Sequence, residues 1–349
     1  MLLRNIEEVK AVFRVSPAAS YDLLATHLGN AENAFIVPLL GRKMYQELVN
    51  YHADPANFRY DDPNLSLTFE QEGSGIGSGS GSGDEETDRE KAWALVLWFV
   101  QHAIVHLAYF SGFDALNAYI SDSGFKRVEG EQTKSLFKYQ EDRLKQYFLD
   151  GGMTSLDTVL EILEDNMAYF EAFDPVLRQL QSKIFPDTKT FQSHYFIDNS
   201  RLTFLRLAQH IKTVEELDIT QAVGAENIAL IQAELQKEVP DTKVVTLLPY
   251  LRDPIAYLST AMLMEESGAD LTERGLWFKA QKSVTNADFI MHADPARIAE
   301  LVRRNRELGA MYLNRLISFM NASGDWGDNL VSRGRFINRD NTDKRIFVA

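Results

Sequence analysis

Apolar residues recur every three or four positions along most of this chain, and this spacing predicts an all-α fold. Within residues 35–48 the periodicity is helical, but Pro38 and Gly41 predict a bend or a break. Ser16 and Pro17 have the character of an N-cap and a first helical residue. The pattern predicts further helices over 16–28, 88–110, 113–120, 134–149, 155–170, 200–211, 214–223, 225–238, 243–266 and 295–320.

Two short stretches break the helical pattern in a way that suits strands. Residues 125–128 and 275–283 each leave room for a small β-hairpin, one in each half of the chain. The last segment, 324–349, has little periodicity and is predicted to be an extended C-terminal arm.

The same helical pattern occurs twice, which predicts a duplicated helical bundle. Residues 120–125 align with 271–276 at an offset of 151, and residues 31–33 align with 225–227 at an offset of 194. An insertion in the first copy explains the difference between the two offsets. We therefore predict a first helical unit at 1–170, a second at 171–323, and the arm at 324–349.

The predicted insertion covers about residues 51–87 of the first copy. Its centre, 73–83, consists almost entirely of alternating glycine and serine. Such a run has no side chains to bury, so we expect a flexible tether.

Charge and cysteine content narrow the possible functions. The chain has 36 basic and 50 acidic residues, for a formal charge of -14. Phosphate binding requires clustered Lys and Arg, so nucleic acid is not expected as the main partner. The absence of cysteine excludes disulfides and thiolate metal sites.

The longest apolar run, 92–110, raises the question of a membrane span. Gln101, His102 and His106 interrupt this run, which favours a buried helix over a span. The N-terminus carries acidic residues and lacks the apolar core of a signal peptide. We expect a soluble chain made in the cytoplasm, without contact to a membrane.

Two histidines are the only arrangement that suggests a metal. His102 and His106 are four apart and share one helix face, a spacing that can hold zinc. Ala103 occupies the position where zinc metalloproteases carry their glutamate, so the motif is incomplete. No phosphate-binding loop and no nucleophile elbow occurs in the sequence. We predict that the chain is not an enzyme and uses neither a cofactor nor a metal.

Two basic clusters are better suited to contacts with a partner. Arg303 and Arg304 lie on the basic final helix, where they face either an acidic neighbour or solvent. The arm combines arginine with aromatic residues, as in tails that become ordered by docking, although simple disorder fits the same composition. The candidate partner-binding residues are Arg303, Arg304, Arg333, Arg335, Phe336, Arg339, Arg345 and Phe347.

Two stretches carry a resemblance to a known class of protein. Residues 35–48 (FIVPLLGRKMYQEL), followed by a long helix and by residues 120–126 (ISDSGFK), resemble head-to-tail connector (adaptor) proteins of tailed bacteriophages. The likeness is greatest to the larger phage and prophage relatives that have two helical halves.

The resemblance implies a structural virion protein that forms a ring in the neck, usually of twelve copies. The partners would be further copies of the chain, the portal protein, and a tail or stopper protein, with DNA only passing through the lumen. Ordinary connectors are about half this length. Two alternatives remain open: a cytosolic all-helical protein-binding module, and a metal-dependent helical enzyme that uses His102 and His106.

Overall fold

The computed structural model describes residues 1–13, 20–54, 57, 84–116, 118–121, 124–127, 137–173, 184–237, 239–269, 277–280, 289–292 and 295–326. The chain divides into two compact units, Met1–Arg178 and Gln179–Ala349. The division lies slightly later in the chain than the predicted boundary at residue 170. The predicted Gly/Ser tether lies outside the described residues, as does the arm beyond residue 326.

Unit 1 consists of helices and one hairpin. Its helices are α1 (Ile6–Val12), α2 (Tyr21–Ala31), α3 (Val37–Leu40), α4 (Arg42–Ala53), α5 (Asp84–Leu116) and α6 (Lys138–Asp165). A π-helical turn, Glu32–Ile36, joins α2 to α3, and a 3-10 turn, Met167–Tyr169, follows α6. Strands β1 (Ala118–Ser121) and β2 (Gly124–Arg127) pair antiparallel between α5 and α6. The core lies where α5 packs against α6 and α2.

Unit 2 has the same order of elements. Its helices are α7 (Thr188–Gln192), α8 (Arg201–Val214), α9 (Thr220–Val223), α10 (Ala225–Glu234), α11 (Thr242–Ala269) and α12 (Pro295–Ser323). A π-helical turn, Glu215–Ile219, joins α8 to α9, and strands β3 (Trp277–Ala280) and β4 (Phe289–His292) pair antiparallel before α12. The core lies where α11 packs against α12 and α8. The all-α prediction is confirmed, with one small hairpin in each unit.

The predicted helix breaks are only partly correct. Gly41 has a φ of 78° and separates α3 from α4, as predicted. In contrast, α6 runs unbroken through Gly151 and Gly152, where two helices were predicted. The lack of a side chain lets α6 pack closely against α5 at this point, because a Cβ at Gly152 would lie 2.6 Å from the Leu107 Cγ.

The predicted helix at 113–120 is also wrong. α5 continues to Leu116, and the chain then forms β1 from Ala118. The apolar spacing of these residues suits a helix. However, residues 118–121 form backbone hydrogen bonds with residues 124–127 in the hairpin instead. A pairing between strands has no signal in helical periodicity.

The upstream offset of the predicted repeat is wrong as well. Residues 31–33 lie at the junction of α2 and its π-helical turn, whereas residues 225–227 begin α10. Each unit has a π-helical turn followed by a glycine with a positive φ, Gly41 in unit 1 and Gly224 in unit 2, which are 183 positions apart.

Candidate interaction sites

In each unit the first described residues are hydrogen-bonded to the helices, and we call these the leading segments, residues 2–13 and 184–195. In unit 1 the Leu2 amide donates to Glu32 Oε1 at 2.6 Å, and Gln101 Nε2 donates to the Leu2 carbonyl at 2.8 Å. The Tyr45 hydroxyl donates to Glu32 Oε2 at 2.8 Å. Glu32 is buried, so its carboxylate is an internal acceptor for two donors from distant parts of the unit.

Unit 2 holds its leading segment in a similar way. Arg252 Nε donates to the Ile184 carbonyl at 2.8 Å, and Asp187 caps α7 by accepting from the Thr190 amide at 2.6 Å. Burial lowers the pKa of Arg252, although nearby Asp187 opposes this effect. The guanidinium also lies 5.9 Å from the Phe185 ring centroid. Arg252 thus serves as a positioning residue for the leading segment.

The two candidate metal ligands, His102 and His106, lie on one face of α5 as predicted, but each ring has its Nδ1 on a carbonyl of its own helix. His102 Nδ1 donates to the Trp98 carbonyl at 3.1 Å, and His106 Nδ1 donates to the His102 carbonyl at 2.9 Å. His106 packs against Phe13 at a centroid distance of 5.1 Å. Among the described residues, no group of three or more His, Asp or Glu side chains is arranged to hold a metal ion.

The environment of His102 predicts a pH dependence of unit 1. Burial lowers the pKa of His102 below 6.5, the Trp98 carbonyl opposes this, and His106 adds to the lowering. As the pH falls through 6.5 the unfolded chain therefore takes up the proton first, and the free energy of unfolding decreases. The loss ends once the folded ring is protonated too. Because one proton is involved, the free energy of unfolding falls by at most about 1.4 kcal/mol per pH unit. The partial exposure of His102 makes the change smaller.

The measurement is denaturant unfolding of the wild type and of His102→Gln between about pH 8 and pH 5. We expect the stability difference between the two proteins to change in favour of His102→Gln at acidic pH. A difference that stays constant over this range would contradict the expected pKa.

A polar cluster in unit 2 was missed by sequence reasoning. His194 Nδ1 lies 2.7 Å from Asp253 Oδ1, and Asn305 Nδ2 donates to the Tyr195 hydroxyl at 3.1 Å. Tyr257 packs edge-on against Tyr195 at 5.1 Å, and burial raises the Tyr257 pKa. The sequence contained one indication of this cluster. Asp253 and Tyr257 stand 151 positions after His102 and His106, which is the offset of the predicted repeat.

The structure describes two of the predicted partner-binding residues. Arg303 Nη1 lies 2.6 Å from Glu307, and Arg303 Nη2 lies 2.7 Å from Glu300, so its charge is balanced within α12. These carboxylates raise the pKa of Arg303. Arg304 is exposed on the same helix. The other candidates lie outside the described residues: Arg333, Arg335, Phe336, Arg339, Arg345 and Phe347.

One helix of the described part, Glu86–Leu116 within α5, is long and apolar enough to cross a membrane by length and composition alone. In unit 1 its most apolar window is 61% buried against the rest of the unit. This is the environment of a core helix, and it agrees with the polar side chains of Gln101 and His106 being buried there too.

Comparison with protein families finds one match, which covers most of the chain. A family of unknown function (DUF6712) matches residues 36–177 and residues 215–334. One matched segment falls in each unit. Comparison with curated proteins and with solved structures finds no match. The chain therefore belongs to the family of unknown function DUF6712.

Proposed function

We propose that this chain is a structural virion protein, a head-to-tail connector that forms a ring in the phage neck between portal and tail. The proposal starts from the resemblance of residues 35–48 and 120–126 to connector proteins. In unit 1 the apolar residues Ile36, Leu40, Met44 and Leu48 of the first stretch are buried. The resemblance therefore concerns residues that build the fold rather than a chemical site.

The observation that carries the proposal is the correspondence between the two units, which supports a duplicated bundle. Between α2 and α4 of unit 1 and α8 and α10 of unit 2, buried residues correspond at an offset of 183. These pairs are Leu24 and Leu207, Leu28 and Ile211, Ile36 and Ile219, Leu40 and Val223, and Leu48 and Ile231. Equal burial at a constant offset is the expected trace of one bundle used twice.

The long helices correspond at an offset of 151, as the sequence predicted. The buried pairs are Val96 and Leu247, Val100 and Leu251, and Ile104 and Ile255. The drop from 183 to 151 corresponds to 32 additional residues in unit 1, in the region of the predicted insertion. In α6 and α12 the offset is 157, with the buried pairs Leu156 and Leu313, Val159 and Leu316, and Leu163 and Met320.

The leading segments extend the correspondence to the start of each unit. Leu2 and Ile184, 182 positions apart, each offer a carbonyl to a side chain of the long helix. The donors, Gln101 and Arg252, are themselves 151 positions apart. The two units therefore share a specific hydrogen bond in addition to similar helix packing, which supports a repeat of the whole structural unit.

A chain of two like units is suited to assembly, because repeated modules offer repeated surfaces. The polar side chains described above form hydrogen bonds within their own unit, to backbone carbonyls and at helix caps. Such contacts fit a structural role. We propose that further copies form the ring, with twelve as the expected number, and that portal and a tail or stopper protein are the neighbours. The acidic charge of -14 fits a lumen through which DNA passes without binding. The chain would be made in the cytoplasm of the bacterial host.

The test is mass photometry with negative-stain imaging of the purified chain, alone and with a candidate portal protein. We expect closed rings, or caps of this chain bound to the portal. An unrelated acidic protein of similar size is the control for nonspecific adsorption. A monomer that ignores the portal would overturn the proposal and favour a binding module, whereas stoichiometric bound metal would favour the enzyme.

A further inference from the structure

An exposed aromatic side chain stands on the loop 193–200 of unit 2, between α7 and α8. Phe196 is 73% exposed, while the side chains of its neighbours, Tyr195 and Ile197, contact the rest of the unit. Tyr195 accepts a hydrogen bond from buried Asn305, and Ile197 packs against the hydrophobic core. One apolar ring is therefore left in water between two residues, Tyr195 and Ile197, whose side chains are anchored in the unit.

The backbone of this loop is constrained as well. Asp198 and Asn199 have φ values of 56° and 53°, the left-handed region that residues other than glycine rarely adopt. Gln192 Oε1 accepts from the Ile197 amide at 2.8 Å and from the Asn199 amide at 3.0 Å. Buried Arg201 donates to the Asn199 carbonyl at 2.9 Å.

A loop held in this way presents Phe196 at little further entropic cost. Left-handed residues other than glycine are strained and persist where the surroundings over-determine them, often at binding sites. Association ordinarily loses energy to the ordering of loops and side chains. A preorganised aromatic side chain avoids part of that loss, which is the property of an interface anchor.

A surface that suits this anchor lies on α12. Arg304, Leu308, Met311 and Arg315 follow one another at spacings of four, three and four, so they share one side of the helix. Met311 is 64% exposed, and Arg304 and Arg315 are exposed at either side of the apolar pair. We call these four residues the α12 stripe.

The charges of the stripe and of the loop are complementary. Exposed Asp198 lies two residues from Phe196, and the stripe carries an arginine at each end. The guanidinium of Arg315 lies 5.0 Å from the Tyr250 ring centroid, and this contact restricts the position of the guanidinium. Methionine adapts to irregular surfaces and makes favourable contacts between its sulfur and aromatic rings.

We propose that Phe196 and Asp198 of one copy of this chain dock onto the α12 stripe of a second copy. Phe196 packs on Leu308 and Met311, and the Asp198 carboxylate pairs with Arg304 or Arg315. Copies with a charge of -14 repel each other at long range, so their contact needs opposite charges placed locally. This inference rests on the self-assembly in the proposed function and names the surfaces that mediate it.

The experiment is sedimentation velocity of the full chain over a concentration series at about 0.15 M salt. Phe196→Ser and Met311→Ser each remove one side of the apolar contact, and each should raise the Kd of self-association by at least about 30-fold. Leu23→Ser is the matched control, because Leu23 is 70% exposed but lies on α2 of unit 1. Thermal melts should be unchanged for all three variants, since the side chains are exposed.

A charge exchange tests the polar half of the contact. Arg304→Glu should weaken association, and combining it with Asp198→Lys should restore part of the loss. Equal self-association of the wild type and Phe196→Ser would overturn the anchor but leave ring formation in place. A wild type that stays monomeric up to about 100 µM would overturn the second copy as partner, while portal binding would still decide the proposed function.

Discussion

Gly309→Ala is expected to lower the free energy of unfolding of unit 2 by about 1–3 kcal/mol, and Gly152→Ala to do the same for unit 1. A Cβ at Gly309 would lie 2.7 Å from the Leu258 Cγ and Cδ2, and one at Gly152 would lie 2.6 Å from the Leu107 Cγ. These distances are too short for carbon atoms, so the leucine side chains would have to shift or the packed helix pairs α11/α12 and α5/α6 would have to separate. Helix propensity alone favours alanine by about 1 kcal/mol, so the sign of the change identifies the contact.

The measurement is denaturant unfolding together with hydrogen exchange, which reports on each unit separately. Gly29→Ala is the control, because Gly29 lies in α2 with nothing within 4 Å of the added carbon, and it should gain about 0.5–1 kcal/mol. Leu258→Ala should relieve part of the cost of Gly309→Ala in a double-mutant cycle. A Gly309→Ala protein as stable as the Gly29→Ala protein would show that the close approach is wrong.

Glu32→Ala is expected to cost unit 1 about 3 kcal/mol. The buried carboxylate accepts from the Leu2 amide and the Tyr45 hydroxyl, and its removal leaves both donors without their acceptor. The leading segment is held partly by this bond, so hydrogen exchange in α1 should accelerate more than in α5. Glu32→Gln retains one acceptor oxygen and should fall between alanine and the wild type.

Glu7→Ala is the control for the loss of a carboxylate at the start of the chain. Glu7 is 77% exposed and pairs with Lys10 on the surface of α1, so its removal should change stability by less than about 0.5 kcal/mol. If Glu32→Ala behaved like Glu7→Ala in both stability and exchange, Glu32 would not anchor the leading segment.

Among the predicted partner-binding residues, Arg303 has neighbours in the sequence that balance its charge. Glu300 and Glu307 stand three positions before and four positions after Arg303, the spacings at which helical side chains pair. The local neutralisation of Arg303 was therefore predictable. Phe196 had no such signal, because its exposure depends on how the loop packs against distant parts of unit 2.

Similar positions in the two units could be predicted from the sequence only in segments with a regular spacing of apolar residues. Ile104 and Ile255, which the sequence pairs at an offset of 151, are both buried in long helices with a continuous apolar pattern. Upstream, the repeated features are the π-helical turns and the glycines Gly41 and Gly224. The side chains around these features differ in type but are alike in burial, and identical letters in the sequence do not align them.

By itself the sequence determined the all-α class and the approximate place of the helices, such as the one predicted at 200–211 and found as α8 (Arg201–Val214). These depend on interactions within about four residues, which appear directly in the order of the side chains. The tertiary structure alone decided that α6 passes through Gly151 and Gly152, and that Gln101 holds the Leu2 carbonyl. Both depend on residues that are far apart in the chain, and their meeting is set by helix packing, which no local pattern records.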